Sequence, residues 1–564
     1  MTQDLDIGRR GFIGGLAASA ATSWATESGE PLVRIGLVTD THVRETRESC
    51  ERVARAYRLF KREKVGMIVN CGDIADKFYP KGYALYSAIR RETYPDPAAA
   101  PKEVYVWANH DRMDFPGDEG PGARLLAFAE VKRLLGIPNE AYDKFVFCGF
   151  TFLVFPQWLD WKRYEKTIAD ACAENPGKPV FIFDHVPPID TTDNSRSWGC
   201  KNRRRILEKF PQVINISGHA HGSLRNEQNI WQGAFTDVSV GCLAQFGGDF
   251  AGVSTPAQQN WSCIVMELWP DHAVFHRRSL LDETFPEIGA QAPWTVTWPH
   301  NGRNAPYSRE TLRRARPVPV FPAGANLAVA TVGNPMERVN VAFPGAVDSD
   351  TAYCYRLEVF RKKDGAWSRF VLRELRGEFW KEPKEREGRF KDVLSGGYFD
   401  DAGDFRISVT PVNFWGGEGL PLVWEGAFPK PVANKVVWQG LPKLVTKKTG
   451  LRDVVPGEKV PYSGDTYFKF PAEAWEGPGG TRFRLVADLT LEQGNVRGFN
   501  FLLQKSPTEK VRPFSAIHTP RGNSSLRYTV DFSKRASTDT YDLFLRQGDA
   551  GTVQIDMMRL ERLS

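Results

Sequence analysis

Short aliphatic segments alternate with helical ones through the first half of this chain, and this alternation is what most constrains its fold. Helical patterns separate several of the aliphatic segments, as in Glu48 to Lys64 and Lys162 to Glu174. Strands that alternate with helices predict an α/β domain. Near Trp261 to Leu268 and Ala273 to Arg278 a β-meander replaces the helices. The segments that read as buried strands are Leu32 to Val38, Val65 to Asn70, Glu103 to Ala108, Pro179 to Asp184 and Val213 to Ser217.

Each of these strands is followed by residues that can bind a metal ion. Taken singly, each motif is weak evidence for a metal site. A lone histidine is usually a hydrogen-bonded core or surface residue, and Gly-Asp after a strand is usually a turn. The ordered set carries more weight, since carboxyl ends of strands lie at one sheet edge, where open α/β folds place their sites. In chain order the motifs are Asp40-Thr41-His42, Gly72-Asp73, Asn109-His110-Asp111, His185 and Gly218-His219-Ala220-His221.

This order resembles the calcineurin-like metallophosphoesterases, whose pattern is DxH, GDxxD or GD, GNH[DE], a lone His, and GHxH. The resemblance covers about Arg34 to Leu268. One position departs from the pattern, Ala108, where glycine is usual and which holds no ligand in the family. The resemblance implies a four-layer α/β sandwich and a dinuclear metal centre.

Carried onto this chain, the resemblance implies two metal ions and a hydroxide between them that attacks a phosphoester. Carboxylate and imidazole donors together suit Mn, Zn or Fe. His110 would serve as general acid or charge stabiliser, with Asp111 orienting it. The first ion would be held by Asp40, His42, Asp73 and His221, and the second by Asp73, Asn109, His185 and His219, with Asp73 bridging.

The resemblance also limits which class of phosphoester we expect as the substrate. Purple acid phosphatases have DxG and GDxxY at the first two motifs, whereas this chain has His42 and Asp76 there. A small-molecule or glycan-linked phosphodiester is therefore the expected substrate, with a phosphomonoester as the alternative. A non-catalytic cell-surface or glycan-binding protein that retains the fold is the competing class, and the presence of all seven ligands favours an enzyme.

Several neighbours of the motifs admit two interpretations. Asp76 either supports the site or is a solvated carboxylate at a helix N-terminus, and Asp184 is equally ambiguous. Arg112, Trp158 and the segment from Leu243 to Phe250 either line the pocket or pack the fold.

The N-terminus resembles a twin-arginine export signal over residues 1–25. Arg9 and Arg10 precede an apolar run from Phe12 to Ala25 that is too short to span a bilayer. Cleavage is expected after Ser23-Trp24-Ala25, with the Ala18-Ser19-Ala20 triplet as a competitor. We therefore expect the chain to be exported by the export machinery that reads this signal and to be periplasmic or secreted. We expect no stable membrane span. The formal charge of +6 over 564 residues gives no support to a nucleic-acid partner.

Two proline-rich passages predict the domain boundaries. Arg314 to Gly324 follows the metallophosphoesterase-like domain, which we place at 31–300, and marks the boundary to the β regions. Phe428 to Lys435 separates two regions of alternating apolar residues. We expect two all-β sandwiches there, a fibronectin type III-like domain at 318–428 and a jelly-roll-like domain at 432–564. On fold analogy the last domain is a candidate for carbohydrate contact.

Overall fold

The structure is a computed structural model that describes most of the chain. The predicted twin-arginine signal, Arg112 and residues 245–250 lie outside the described part. That part comprises residues 29–76, 80–111, 121–136, 139–193, 195–244, 261–288, 293–298, 305–315, 317–347, 352–378, 389–413, 415–446, 450–462, 467–493, 500–504, 514–518, 524–546 and 551–563.

The first domain contains two six-stranded mixed sheets. Its strands are β1 (Val33–Val38), β2 (Met67–Asn70), β3 (Lys102–Tyr105), β4 (Asp143–Phe147), β5 (Phe150–Val154), β6 (Val180–Phe183), β7 (Val213–Ser217), β8 (Ile230–Gln232), β9 (Thr236–Ser239), β10 (Ser262–Leu268), β11 (His272–Ser279) and β12 (Trp294–Thr297). One sheet has the order β12-β11-β10-β1-β2-β3 and the other β4-β5-β6-β7-β9-β8. Strands β1 to β3 pair in parallel, as do β5, β6, β7 and β9. The remaining pairs are antiparallel, which includes the predicted meander of β10 and β11.

In the part of the chain that the structure describes, seven helices accompany these sheets. They are α1 (Arg47–Arg62), α2 (Pro80–Thr93), α3 (Pro121–Leu135), α4 (Trp161–Glu174), α5 (Ser195–Trp198), α6 (Lys201–Leu207) and α7 (Arg309–Ala315). The Thr46 side chain accepts a hydrogen bond from Ser49 N and caps α1, and Asp160 caps α4 in the same way.

The packing has four layers, helix on sheet on sheet on helix. Strand side chains alternate between faces with period two. In β2, Met67 faces the apolar core between the two sheets, whereas Ile68 faces the core beneath α1 and α2. In β6, Phe181 faces the same central core and Ile182 packs beneath α4 and α6. Burial on both faces explains why the parallel strands read as continuous apolar runs.

The remainder of the chain is antiparallel β structure. The strands are β13 (Ala328–Val332), β14 (Arg338–Pro344), β15 (Ala352–Lys363), β16 (Ala366–Arg376), β17 (Arg389–Ser395), β18 (Gly403–Asn413), β19 (Leu422–Phe428), β20 (Lys435–Gly440), β21 (Lys443–Thr446), β22 (Gly450–Arg452), β23 (Lys459–Tyr462), β24 (Tyr467–Lys469), β25 (Arg482–Gln493), β26 (Asn500–Gln504), β27 (Phe514–His518), β28 (Ser524–Ser533), β29 (Asp542–Arg546) and β30 (Gly551–Arg562).

These strands form two pairs of sheets. The middle region has sheets β13-β14-β17 and β16-β15-β18-β19 around one core, and the last region has β20-β30-β25-β28 and β22-β21-β24-β29-β26-β27 around another. An α/β domain with mixed sheets followed by antiparallel β sheets confirms the expected fold class. The fibronectin type III and jelly-roll assignments stay predictions. No helix among the described residues is long and apolar enough to cross a membrane.

Candidate metal centre

The predicted ligands meet at one edge of the two facing sheets. In the first sheet the last residues of β1, β2 and β3 are in register, with Val38 beside Asn70 and Asn70 beside Tyr105. In the second sheet the end of β6 pairs with Ile216 of β7. The metal-binding motifs follow these ends directly, so the parallel arrangement brings them together.

Five of the seven expected ligands have a left-handed backbone, a conformation that non-glycine residues seldom adopt. Their φ angles are 50° for Asp40, 40° for His42, 54° for Asp73, 64° for His219 and 50° for His221. Each such residue costs on the order of 1–3 kcal/mol and persists where the surrounding structure over-determines it, as at functional sites. The chain therefore bends sharply after β1, β2 and β7 to aim these five side chains at a common point.

Gly218 and Gly72 allow the loops to approach closely. A Cβ at Gly218 would lie 1.9 Å from Thr39 Oγ1, and a Cβ at Gly72 would lie 2.7 Å from His185 Nδ1. Gly72 also has a φ of 106°, which side-chain-bearing residues rarely adopt. Both glycines are thus required by the geometry of the site.

Asp40, His42 and His221 form the first group of donor atoms. Asp40 Oδ1 lies 3.0 Å from His221 Nε2, and the two Nε2 atoms of His42 and His221 are 3.4 Å apart. All three donor atoms lie within 4.8 Å of one another. The sequence assigned these three residues to one ion, and the structure brings them together.

Asp73, His185 and His219 form the second group. Asp73 Oδ2 lies 3.3 Å from His185 Nε2, and His185 Nε2 lies 3.1 Å from His219 Nδ1. The same Asp73 oxygen is 3.9 Å from His42 Nε2 of the first group. Asp73 therefore reaches both groups, as a bridging carboxylate must.

The hydrogen bonds around the groups leave ligand atoms free. Asp40 Oδ2 accepts from His219 N and Thr39 Oγ1, each at 2.8 Å, whereas the buried Oδ1 has no hydrogen bond apart from what the imidazole of His221, 3.0 Å away, can donate. Asn109 Oδ1 is buried without a hydrogen-bond partner. His185 Nδ1 lies 2.8 Å from the carbonyl of Cys71, so Nδ1 carries a proton and Nε2 is the nitrogen that faces the donor group. Orphaned buried oxygens beside oriented imidazoles fit a pair of metal ions.

The electrostatics of the centre favour bound cations. Burial lowers the pKa of His42 to about 4 and that of His219 to about 3, so both imidazoles are neutral at pH 7, the form that binds metal. Burial would raise the pKa of Asp40, but the neighbouring His221 outweighs it and holds that pKa below its usual value. At His185 burial opposes the charged form, but Asp73 outweighs it and raises the pKa to about 9, so a bound ion would have to replace a proton on Nε2.

His110 lies beside the two donor groups. Its backbone N–H donates to Asp73 Oδ1 at 2.8 Å, and its side chain is about a third exposed. The Nδ1 atom is 2.9 Å from Asp76 Oδ1, and Asp76 Oδ2 lies 2.5 Å from Arg44 Nη2. Burial opposes ionisation of Asp76, but Arg44 outweighs it and lowers the pKa of that carboxyl. The structure thus assigns Asp76 to the support of His110.

The expectation that Asp111 orients His110 is wrong. Asp111 is fully buried, and its carboxylate accepts hydrogen bonds from the backbone N–H groups of Asp73 and Ile74, each at 2.9 Å, and from the hydroxyl of Tyr83 at 3.0 Å. Within the 3₁₀ turn Asn109–Asp111, Asp111 is buried whereas the side chain of His110 is about a third exposed. Asp111 therefore fixes the backbone that presents Asp73.

Asp184 also has a structural partner. Its Oδ2 accepts from Arg203 Nε at 2.5 Å, and its Oδ1 accepts from the backbone N–H of His185 at 3.0 Å. Both side chains of the ion pair are almost completely buried. The pair therefore fixes α6 to the loop that carries His185.

Sequence reasoning missed Trp198 of α5. Its indole ring meets the imidazole of His219 edge-on, with ring centroids 5.8 Å apart, and the residue is 55% exposed. Trp158, for which the sequence left lining the pocket and packing the fold both open, packs on Trp107, with ring centroids 4.8 Å apart. The fold of the chain after His185 brings Trp198 close to His219, so the spacing of residues in the sequence could not predict this contact.

Comparison with known proteins gives a family match over the part of the chain that carries the site. Residues 33–223 match the family model described as calcineurin-like phosphoesterase. No curated protein sequence matches the chain. A solved dimetal phosphatase from Danio rerio is 13% identical and covers 48% of this chain and 100% of its own, with a TM-score of 0.34. GAP50, the anchor in the inner membrane complex of Plasmodium, is 12% identical and covers 48% and 90%, with a TM-score of 0.32.

Proposed function

We propose that this protein, a metal-dependent phosphoesterase whose residues 33–223 form a calcineurin-like phosphoesterase domain, hydrolyses phosphodiesters. The observation that carries the proposal is the reach of Asp73 Oδ2, which lies 3.3 Å from His185 Nε2 of one donor group and 3.9 Å from His42 Nε2 of the other. A carboxylate that reaches both donor groups can bridge two ions, and two ions about 3.5–4 Å apart are the usual arrangement for phosphoryl transfer.

The two donor groups define which residues would hold the ions. Two bound transition-metal ions supply a nucleophilic water of lowered pKa and neutralise the charge of the phosphoryl oxygens. On the protein's side, the buried Asn109 Oδ1, which lacks a hydrogen bond, and Asp40 Oδ1 are ready to serve as ligands. The carbonyl of Cys71 accepts from Nδ1–H of His185 and so leaves Nε2 as the nitrogen that would bind an ion.

His110 is the residue placed to move a proton to the leaving oxygen. The ionised Asp76 accepts from Nδ1–H, so the imidazolium form of His110 would give its Nε2 proton to the departing alkoxide and keep the proton on Nδ1. Arg44 keeps Asp76 ionised and fixes its position. His110 also lies next to Asn109 in the same 3₁₀ turn, which couples its position to the donor group.

The preference for a diester over a monoester rests on two features of the residues around the donor groups. At the positions of His42 and Asp76, the purple acid phosphatases have the glycine of DxG and the tyrosine of GDxxY. In this chain Asp76 instead contacts His110, the proposed acid for the leaving group. Trp198, exposed beside His219, offers an apolar face that would contact the second ester group of a diester.

The test is metal analysis and turnover of the purified chain. We expect bound transition metal, and faster hydrolysis of bis-p-nitrophenyl phosphate than of p-nitrophenyl phosphate after loading with Mn, Zn or Fe. Replacing Trp198 with Ala should raise KM for the diester and leave KM for the monoester nearly unchanged. Less than about one metal equivalent with no turnover of either ester would refute the enzyme, and faster monoester turnover would refute the diester preference.

We also propose that the protein is exported through its N-terminal twin-arginine segment. The support is the sequence of residues 9–25, with two arginines before a short apolar run. A fusion of residues 1–30 to a reporter that folds before export should reach the periplasm. Replacing Arg9 and Arg10 with Lys should retain the reporter in the cytoplasm, and unchanged export would refute the proposal.

A further inference from the structure

A cavity of about 330 Å³ lies where the two β regions meet, and neither the metal centre nor the phosphoesterase domain contributes to it. One wall comes from β15, β16 and β18 with the turn that precedes β18, and the other from β25, β28 and β30. Its volume falls at the lower end of the ~300–1,000 Å³ of small-molecule sites. The cavity can therefore hold a small ligand or the end of a longer one.

The first wall presents an aromatic ring on a rigid support. Phe370 of β16 is half-buried, whereas Phe399 and Phe405 behind it are buried. The Phe370 ring centroid lies 6.1 Å from each of those two rings, which are 5.2 Å apart. These edge contacts hold Phe370 in one orientation, so binding against its face would cost little side-chain entropy.

The opposite wall presents hydrogen-bonding groups that are already oriented. Arg527 donates from Nε and Nη2 to the two oxygens of Asp488 at 2.7 and 2.8 Å, and its Nη1 lies 2.6 Å from Asp400 of the middle region. Asp556 accepts from Thr490 at 2.9 Å and from Gln554 at 2.6 Å. Each carboxylate oxygen still has a lone pair to accept from a ligand hydroxyl.

The charges of the lining balance. Three cationic side chains, Arg361, Lys363 and Arg527, face three carboxylates, Asp400, Asp488 and Asp556. A phosphate or a cation would meet as much repulsion as attraction in such a lining. A ligand that is uncharged and rich in hydroxyl groups, with one apolar face, matches both walls.

We propose that this cavity binds a neutral saccharide. The apolar face of a sugar ring packs on Phe370, and its hydroxyl groups donate to the oriented carboxylates and accept from the cationic side chains. The site is separate from the metal centre, so it holds the protein on a glycan and takes no part in the chemistry.

The test uses the full chain and a panel of defined tetrasaccharides. The neutral probes are β-linked oligomers of glucose, xylose, mannose and N-acetylglucosamine, and the acidic probe is an oligomer of galacturonate. Isothermal calorimetry and ligand-observed NMR measure binding. We expect at least one neutral probe to bind and the galacturonate oligomer to bind more weakly.

Variants locate the binding. Ser368 lines the cavity and is exposed, so Ser368→Trp fills the space without removing a buried contact. We expect this variant and Phe370→Ala to weaken binding about tenfold or more, with turnover of p-nitrophenyl esters unchanged. Val423→Trp, at a position that is 51% exposed and outside the cavity lining, is the matched control and should bind normally.

Three results would overturn the proposal. They are no binding of any neutral probe at millimolar concentration, preferential binding of the galacturonate oligomer, and neutral binding that Ser368→Trp leaves unchanged. Because Ser368 is exposed and Ser368→Trp removes none of the buried rings, the outcome does not depend on whether Phe370→Ala folds.

Discussion

Oδ1 of Asp76 lies 2.9 Å from Nδ1 of His110, and this contact makes Asp76 the residue that sets the orientation of the expected general acid. The second oxygen of Asp76 is held by Arg44 at 2.5 Å. The carboxylate is therefore fixed from both sides. An imidazole anchored through Nδ1 presents Nε2 in one direction, which is what proton transfer to a leaving oxygen requires.

Asp76→Asn should impair catalysis in proportion to how much the leaving group needs a proton. We expect kcat for diphenyl phosphate to fall about 10–100-fold and kcat for bis-p-nitrophenyl phosphate to fall much less, because p-nitrophenolate leaves without help. Metal content should not change. Asp170→Asn on the surface of α4 is the control. Equal losses on both substrates would show that Asp76 does not act through the leaving group.

Asn109→Ala and His110→Ala should separate metal binding from proton transfer. Removing the unpartnered Asn109 Oδ1 should leave about one metal equivalent in place of two. His110→Ala should keep about two equivalents while kcat falls about 10²–10⁴-fold. Inductively coupled plasma mass spectrometry on matched preparations measures the metal. Full metal content in Asn109→Ala, or full rate in His110→Ala, would refute the assignment.

Arg203→Ala should destabilise the first domain. It leaves Asp184 buried without its partner, and breaking a buried ion pair this way costs about 3–5 kcal/mol. The exposed neighbour Arg205 on the same helix is the matched control, and its replacement with Ala should change the free energy of unfolding by less than about 0.5 kcal/mol. Urea unfolding of both variants measures the difference. Similar values for the two would contradict the structural role.

His276 should make stability depend on pH in the alkaline range. Burial lowers the pKa of His276, but Glu267 and Glu287 outweigh it and raise the pKa to about 9 from an unfolded value of 6.5. A raised pKa means that the stabilisation is complete below pH 6.5 and is lost as the pH rises through about 9.

The measurement is thermal unfolding of the wild type and His276→Gln across that range. The Tm difference between them should be largest at pH 6 and should shrink above pH 9. Arg278 and Arg34 also contact these carboxylates, so the comparison is made at constant ionic strength. A Tm difference that stays constant or grows with pH would contradict the assignment.

The sequence predicted the metal-binding motifs because each is a local event, a buried strand followed at once by its ligands. His42, for example, follows β1 within four residues, so the parallel pairing of β1 and β2 is enough to bring it near Asp73. Side-chain contacts between residues on separate loops could not be predicted from the sequence, because they depend on how those loops fold back. His110 meets Asp76 across 34 residues, and Arg203 meets Asp184 across 19.

The wrong role of Asp111 has the same origin. Adjacent residues in a 3₁₀ turn point in different directions, so the position next to His110 in sequence lies beneath the Asp73 loop in space. The contact that does orient His110 comes from a residue that the sequence left ambiguous.

The central claim is that two ions share Asp73, and anomalous diffraction at the edges of the bound metals tests it most directly. A crystal of the metal-loaded protein should show two peaks about 3.5–4 Å apart. One peak should contact Asp40, His42 and His221, and the other should contact Asn109, His185 and His219, with Asp73 between them. A single peak, or two peaks that do not share Asp73, would contradict the dinuclear centre.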